Sequence, residues 1–435
     1  MTTTPAAPGH TPVSVASPAR PAILGGAPAV TLDQTAANRW PICTPEDEAA
    51  VLRVLRAGEW GVSKETAALE DDYRKWLGVR FAVAHNNATG AILAGLHALG
   101  VSHGDEVIVP SATWWSSVLP VVHLGAVPVF AELEDHSLGL DPEDVERRIT
   151  PRTKAIVVVH LFGLPSRMDE LLALARRHNL AVLEDASHAH GAMYKGRPVG
   201  TLALDLGPKG ASVFSMQGNK LCPTAEGGIL LTNDPAIWEN TLRWGHYERL
   251  LDLDSPNKYF AATGFGFKFR MSPLSAALAR TQLARLTPRN TARNDNCVYL
   301  SRRLETLGCF NTFLSPPGIE RVYFEYLIRY DESKTGLPIK DLSKALQAEG
   351  AMVGAPRYPL LHQQPFFTKG VWAKVGRVPP PHPVYDPAAL PLTTRGNGSL
   401  LKLPSFPNAE RALLDQYFDA FRKVLAHKDA LPRSA

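Results

Sequence analysis

An acidic pair and one lysine are the residues of this chain whose placement suggests covalent chemistry. In LAVLEDASHAHGA, residues 180–192, Glu184 and Asp185 close an apolar run that reads as a strand. A carboxylate at a strand's end faces the crevice where open α/β sheets bind ligands, and it is costly to bury without a partner. Taken alone, the pair also fits a surface turn or a helix cap. Farther along, Lys220 stands in the polar loop of VFSMQGNKLCPTAEGGILLTND, with Ser215 before it and Gly227-Gly228 after it. Most lysines are solvated surface charges, but this loop joins two apolar strands. The third element is AHNNATGAILAGL. There Asn87, Ala88 and Thr89 open a helix whose free N–H groups suit a phosphate, although most helices begin with such a cap.

Together the three supply a phosphate anchor, a carboxylate for a protonated pyridine nitrogen and an imine-forming amine. Pyridoxal 5'-phosphate (PLP) chemistry needs these parts. The lysine would form a Schiff base and then move the α-proton of an amine. The carboxylate would keep the ring nitrogen protonated, so that the ring draws electrons. Spacing alone shows compatibility with this chemistry and does not single it out.

These residues need a sheet to hold them, and the hydrophobic pattern provides one. RFAVAHN, DEVIVP, VPVFAEL, KAIVVVHLFG and LAVLEDAS read as strands. They alternate with the helical segments ATGAILAGLHALG, TWWSSVLPVVHLG, DPEDVERRIT and SRMDELLALARRHN. Such alternation implies buried parallel strands with helices on both faces. SVFSMQ and GGILLTND are two further strands around the Lys220 loop. TPEDEAAVLRVLRAG is a capped helix with proline in its first turn, and KETAALEDDYRKWLG is a second, ending at Gly78. MSPLSAALARTQLARLTPRNTARNDNCVYLSRRLETLG predicts a long helix interrupted at Pro288. Beyond it FEYLIRY is a strand, IKDLSKALQAEG a helix, 353–400 irregular and proline-rich, and ERALLDQYFDAFRKVLAH an amphipathic helix. The reading is therefore α/β, with a tail over 1–21, a large domain over 22–289 and a small C-terminal domain over 290–435.

Composition narrows the function classes. The chain has 435 residues with 46 Lys+Arg against 42 Asp+Glu, a net charge of +4. The basic residues are scattered, so no nucleic-acid footprint appears. Cys43, Cys222, Cys297 and Cys309 form no CxxC pair and no zinc spacing. Free thiols and a cytoplasmic location are expected. No apolar run approaches the length of a membrane span, and no metal site is expected.

The motifs GDEVIVPSATWWSS, GAVPVFAEL, HLFGLPSRMDEL, LEDASHAHGA, FSMQGNKLCPTAEGG, RMSPLSAAL and YPLLHQQP carry a resemblance. From about residue 22 to 427 the chain resembles the DegT/DnrJ/StrS group of fold-type I PLP aminotransferases. These enzymes aminate keto-sugars and cyclitols. The resemblance implies a mostly parallel seven-stranded sheet flanked by helices, with a smaller α+β C-terminal domain. It implies that Lys220 carries the Schiff base, that Asp185 pairs with the pyridine nitrogen, and that Trp114 stacks on the ring. Ala88, Thr89 and Ser215 fall at its phosphate positions. Three departures stand out. Ala88 replaces a common glycine. His188 replaces a common glutamine that reaches the cofactor's phenolic oxygen, which makes that contact pH-dependent in expectation. Lys268, in GFGFKFRM, takes the place of a usual asparagine that reaches the neighbouring subunit's phosphate. His188 and the FSMQ…KL…T.EGG pattern lean toward the scyllo-inosose aminotransferases and the 3-amino-5-hydroxybenzoate synthases. His190 is expected to pack.

The resemblance thus implies amino transfer from L-glutamine or L-glutamate to a keto-sugar or cyclitol-like ketone in natural-product biosynthesis. It also implies a homodimer with active sites at the interface and substrate loops over 244–268 and 353–400. The alternatives are a PLP-dependent dehydratase or aromatising enzyme, a relative recruited to an unusual substrate, and a PLP-binding regulatory protein. Lys220 weighs against the dehydratases, in which histidine replaces the lysine.

Overall fold

The structure is a computed structural model that describes residues 19–61 and 63–434. The tail expected over 1–21 lies, through residue 18, outside the described residues. The central sheet has seven strands. These are β1 (Phe81–His85), β2 (Glu106–Pro110), β3 (Val127–Ala131), β4 (Thr153–Val159), β5 (Ala181–Asp185), β6 (Gly210–Ser215) and β7 (Gly228–Thr232). Their order across the sheet is β1-β7-β6-β5-β4-β2-β3. All neighbours are parallel except β7, which runs antiparallel to both β1 and β6. Val, Ile, Leu and Ala fill the strands, and β2, β5, β6 and β7 are buried at every position. Continuous apolar runs of this kind belong to strands covered on both faces.

Register brings the chemistry to one edge. Val159, Asp185 and Val213 stand side by side near the carboxyl ends of β4, β5 and β6. Gly228 lies opposite both His85 and Ser215. A side chain at Gly228 would be 2.4 Å from the Ala88 nitrogen. The absence of a Cβ there lets the helix Ala88–Ala98 begin directly against the sheet.

Two helical expectations needed correction. TWWSSVLPVVHLG is not one helix: Trp115–Ser117 forms a 3₁₀ turn and Leu119–His123 a short helix. Pro120, within the first turn of the second piece, favours a fresh helix start there. The break turns Ser117 toward β5. The long helix after Met271 breaks at Arg285 rather than Pro288, giving Pro273–Ala284 and Leu286–Glu305. Pro288 sits in the first turn of the second helix, where its missing N–H leaves no bond unmade.

A three-stranded antiparallel sheet, β8 (Phe310–Asn311), β9 (Tyr326–Tyr330) and β10 (Leu400–Leu403), forms the smaller unit. The helices Ile339–Ala348 and Arg411–Ala426 lie in the same unit. Its core includes Leu300, Tyr326, Leu346, Tyr417 and Phe421, but also Val30 and Ala37. The sequence reading assigned residues 22–40 to the large domain, whereas Val30 and Ala37 pack with the small one. Tyr358, Phe367 and Trp372 return to the large core, so the chain crosses between the units more than once.

Candidate active site

A cavity of about 680 Å³ opens where the strand ends meet the small unit. That size suits a cofactor with a substrate. Ala88, Thr89, Trp114, Asp185, His188, Ser215 and Lys220 all line it. Seven of the eight residues singled out in the sequence therefore converge. Lys268 does not: it is exposed, outside the cavity. Its neighbour Phe269 does line the wall, with its ring against Gly90 and its carbonyl accepting the Asn86 N–H at 2.6 Å.

The anion end is built by helix geometry. Asn87 caps Ala88–Ala98 by accepting the Gly90 N–H at 2.8 Å. That leaves the first two amides, of Ala88 and Thr89, without an acceptor within the helix. The Thr89 hydroxyl donates to Ser116 Oγ at 2.8 Å, and Ser215 closes the same end from β6. Amides at a helix start attract negative charge.

Asp185 is 3% exposed and doubly held. Ser117 Oγ donates to its Oδ2 at 2.7 Å, and the Ser187 N–H donates to its Oδ1 at 3.1 Å. Thr113 in turn lies 3.1 Å from Ser117 Oγ. Glu184, adjacent in sequence, points to the other face of the sheet. It accepts the Gly200 and Ala203 N–H groups and sits 3.1 Å from His160 Nε2. The acidic pair therefore divides into one carboxylate for the cavity and one for the fold.

Lys220 is buried on a tight turn whose N–H donates to the Gln217 carbonyl at 2.8 Å. Trp40 Nε1 donates to the Lys220 carbonyl at 3.1 Å. The ammonium lies 4.5 Å from the centre of the Phe324 ring. Burial pushes its pKa down to about 8, with the Asp185 and Glu325 carboxylates pulling the other way. An amine so poised is neutral for a substantial fraction of the time near pH 8, as a nucleophile must be. For PLP, the donor set matches the cofactor at each end: unengaged amides for a phosphate, a buried carboxylate for a ring nitrogen and a depressed amine between them.

His188 departs from the sequence expectation in one respect. Its Nδ1 accepts the Phe162 N–H at 3.3 Å, and its Nε2 lies 3.2 Å from the Tyr358 hydroxyl. The ring stacks on Phe324 at 4.3 Å. Burial, followed by the charge of Lys220, holds its pKa well below the ordinary value. Both ring nitrogens are engaged within the protein, and burial disfavours the charged ring, which runs against the pH-dependence expected from the residue type alone. His190 packs in the core beside Phe214, with its Nε2 3.1 Å from Tyr73 OH.

Sequence reasoning missed Ser117, Arg357, Tyr358, Phe324 and Trp40. Ser117 and Tyr358 lay inside motifs already noted, but nothing local marked their direction. Phe324 opens the segment FEYLIRY, read only as a strand, and Arg357 and Trp40 arrive from parts of the chain with no local signal.

The four cysteines are free thiols. Among the described residues no helix is long and apolar enough to cross a membrane, and no His/Cys/Asp/Glu cluster could hold a metal. Known proteins match over nearly the whole chain. The L-glutamine:2-deoxy-scyllo-inosose aminotransferase of Streptomyces kanamyceticus is 33% identical over 90% of this chain and 94% of its own. S. venezuelae DesV, solved with a ketimine intermediate, is 31% identical with a TM-score of 0.72, covering 87% of this chain and 94% of its own. A 3-amino-5-hydroxybenzoic acid synthase structure is 27% identical with a TM-score of 0.75, covering 92% of this chain and 99% of its own. The family profile of these PLP-dependent enzymes matches residues 41–406, and the chain belongs to the DegT/DnrJ/EryC1/StrS aminotransferase family.

Proposed function

We propose that this aminotransferase holds PLP on Lys220 and moves an amino group from L-glutamine or L-glutamate onto a cyclitol-like ketone. The carrying observation is the shared wall: Lys220, Asp185 and the free amides of Ala88 and Thr89 line one cavity. When bound, PLP supplies an aldehyde that condenses with amines and a ring that stabilises negative charge at the amine carbon. Lys220 contributes the amine that moves the proton at that carbon. Asp185, aimed by Ser117 and the Ser187 amide, keeps the ring nitrogen protonated. Trp114 would cover a face of the ring, and Ser215 would join the Ala88 and Thr89 amides in holding the phosphate. His188, held between the Phe162 N–H and the Tyr358 hydroxyl, would border the cofactor's phenolic oxygen.

The ketone class follows the relative named for 2-deoxy-scyllo-inosose, matched over most of both chains. The likeness to a 3-amino-5-hydroxybenzoic acid synthase supports a second reading, an aromatising reaction on a related ring. In this reading the working unit is a cytoplasmic homodimer, and exposed Lys268, outside its own cavity, is available for a contact with the phosphate of the second copy. Incubation with PLP, α-¹⁵N-labelled L-glutamine and a ketone panel including 2-deoxy-scyllo-inosose tests the reading. Label in a cyclitol amine is the expected result. An aromatic product selects the second reading, and a ketone panel that yields neither labelled amine nor aromatic product defeats both.

A further inference from the structure

A second cavity, of about 230 Å³, lies behind the turn that carries Lys220. Asn219 and Leu221, on either side of that lysine, line it together with Trp40, Ser405, Lys402 and Arg293. Arg293, in the helix Leu286–Glu305, is 2% exposed, and its Nε and Nη1 are buried without a hydrogen-bond partner. Among the described residues no carboxylate pairs with it. Its guanidinium lies instead on the Trp40 ring, 4.2 Å from the centre. Burial pushes its pKa down to about 10, which leaves it charged at neutral pH. A buried cation without a counter-charge is costly.

The other charges on the wall do not supply the missing one. Glu325 is the one carboxylate among the described lining residues, and its Oε1 is shared by Arg357 and by Lys402, the latter at 3.1 Å. Arg293, Arg357 and Lys402 therefore face a single carboxylate, an excess of two positive charges. The cavity is smaller than the roughly 300–1,000 Å³ of pockets that take drug-sized ligands, so its complement is small. A guanidinium fork suits an oxyanion in geometry as well as charge. Trp40 joins this cavity to the chemistry. The indole that carries Arg293 also donates its Nε1–H to the Lys220 carbonyl at 3.1 Å.

We propose that this second cavity is an oxyanion site: Arg293 and Lys402 hold a small dianion, hydrogen phosphate or a dicarboxylate, whose presence braces the Lys220 turn through Asn219, Leu221 and Trp40. None of the residues assigned to the cofactor's phosphate, Ala88, Thr89 and Ser215, lines this cavity. The site uses neither the reacting amine nor a substrate group, so it stands whichever ketone is aminated.

The test uses the PLP-loaded protein, whose cofactor phosphate anchor is already filled, at an ionic strength fixed with chloride. Calorimetry with sodium phosphate and with succinate should show saturable binding of at least one, and the one that binds names the source. Arg293→Met should weaken that binding at least roughly tenfold, the usual worth of a charge-assisted bond. Arg293→Lys, which keeps charge on the Trp40 ring without the fork, should lose less, and it decides the matter if Arg293→Met does not fold. Hydrogen–deuterium exchange over 217–222 should slow when the wild type is saturated and stay unchanged in the Met variant. A wild type that binds neither probe overturns the proposal. Equal affinity in the wild type and both variants places the ion elsewhere and also overturns it. Binding that depends on Arg293 but leaves exchange over 217–222 unchanged overturns the bracing role. A raised KM for L-glutamine in Arg293→Met, with no oxyanion added, would put Arg293 in the donor's own site and overturn the assignment.

Discussion

Ser117 Oγ donates to Asp185 Oδ2 at 2.7 Å, joining the turn after β2 to the end of β5 beneath the cavity. The bond ties a catalytic candidate to a residue that chemistry alone would overlook. Together with the Ser187 amide on Oδ1, it fixes how the carboxylate plane is turned toward the cavity.

Ser117→Ala should therefore retain cofactor and fold while losing rate. A hydrogen bond to a charged group is worth about 1.5–3 kcal/mol, so kcat/KM should fall roughly 10- to 100-fold. The cofactor's absorbance maximum should also shift as the ring nitrogen's proton affinity changes. Steady-state kinetics with the spectrum checks this. A variant with wild-type rate and spectrum would show that the Ser187 amide alone suffices to place Asp185.

The depressed lysine sets a pH rule for the cofactor-free protein. Lys220 must be neutral to condense with an aldehyde, and burial brings its pKa down to about 8. The rate of chromophore formation on adding PLP should rise tenfold per pH unit below 8 and level off above it. Stopped-flow absorbance measures the curve. A midpoint near 10 would place the amine in water rather than in the wall.

Buried neutral histidines predict acid sensitivity. Burial lowers His85 to about 4 and His190 to about 3, and it also lowers His188 and His246. Each takes a proton in the unfolded chain below its ordinary pKa of 6.5 but not in the folded one. Stability should thus be full above pH 6.5 and fall as pH drops, by on the order of 1 kcal/mol per unit per histidine. The fall continues to about 4 for His85 and about 3 for His190. Denaturant midpoints across pH 4–8 give the slope, and a flat curve would mean these rings are not buried as described. His188→Gln should leave the pH–rate profile unchanged between pH 6 and 8, because the native ring does not titrate there.

Gly228→Ala should harm both fold and cofactor binding. The new methyl would meet the Ala88 nitrogen at 2.4 Å. Overpacking of this kind costs about 1–3 kcal/mol. It also displaces an amide proposed for the phosphate, so PLP affinity should fall together with stability. Equilibrium dialysis beside thermal melts separates the two effects. Unchanged affinity would move the phosphate away from the Ala88 amide.

The central sheet was legible because its signals are local. Apolar runs such as VIVP and AIVVV punctuated by helices announce buried parallel strands, and strand ends announce the position of Asp185. Lys220 was legible as an odd lysine between two such strands. The turn at Trp115–Ser117 was not: WWSSVLPVVH has helical periodicity, and only the packing of β5 against Ser117 reveals the break. Tyr358 and Arg357 reach the cavity from more than 130 residues beyond Lys220, by tertiary folding that no local pattern records. His188 read as a pH-sensitive group because sequence shows its type but not its burial or its two ring partners.

The most direct measurement of the central claim is chemical trapping. The PLP-loaded protein is reduced with borohydride, digested, and its peptides are sequenced by mass spectrometry. A phosphopyridoxyl group on Lys220 alone is the predicted result. An adduct on a different lysine, or a protein that binds PLP yet yields no adduct, would contradict it.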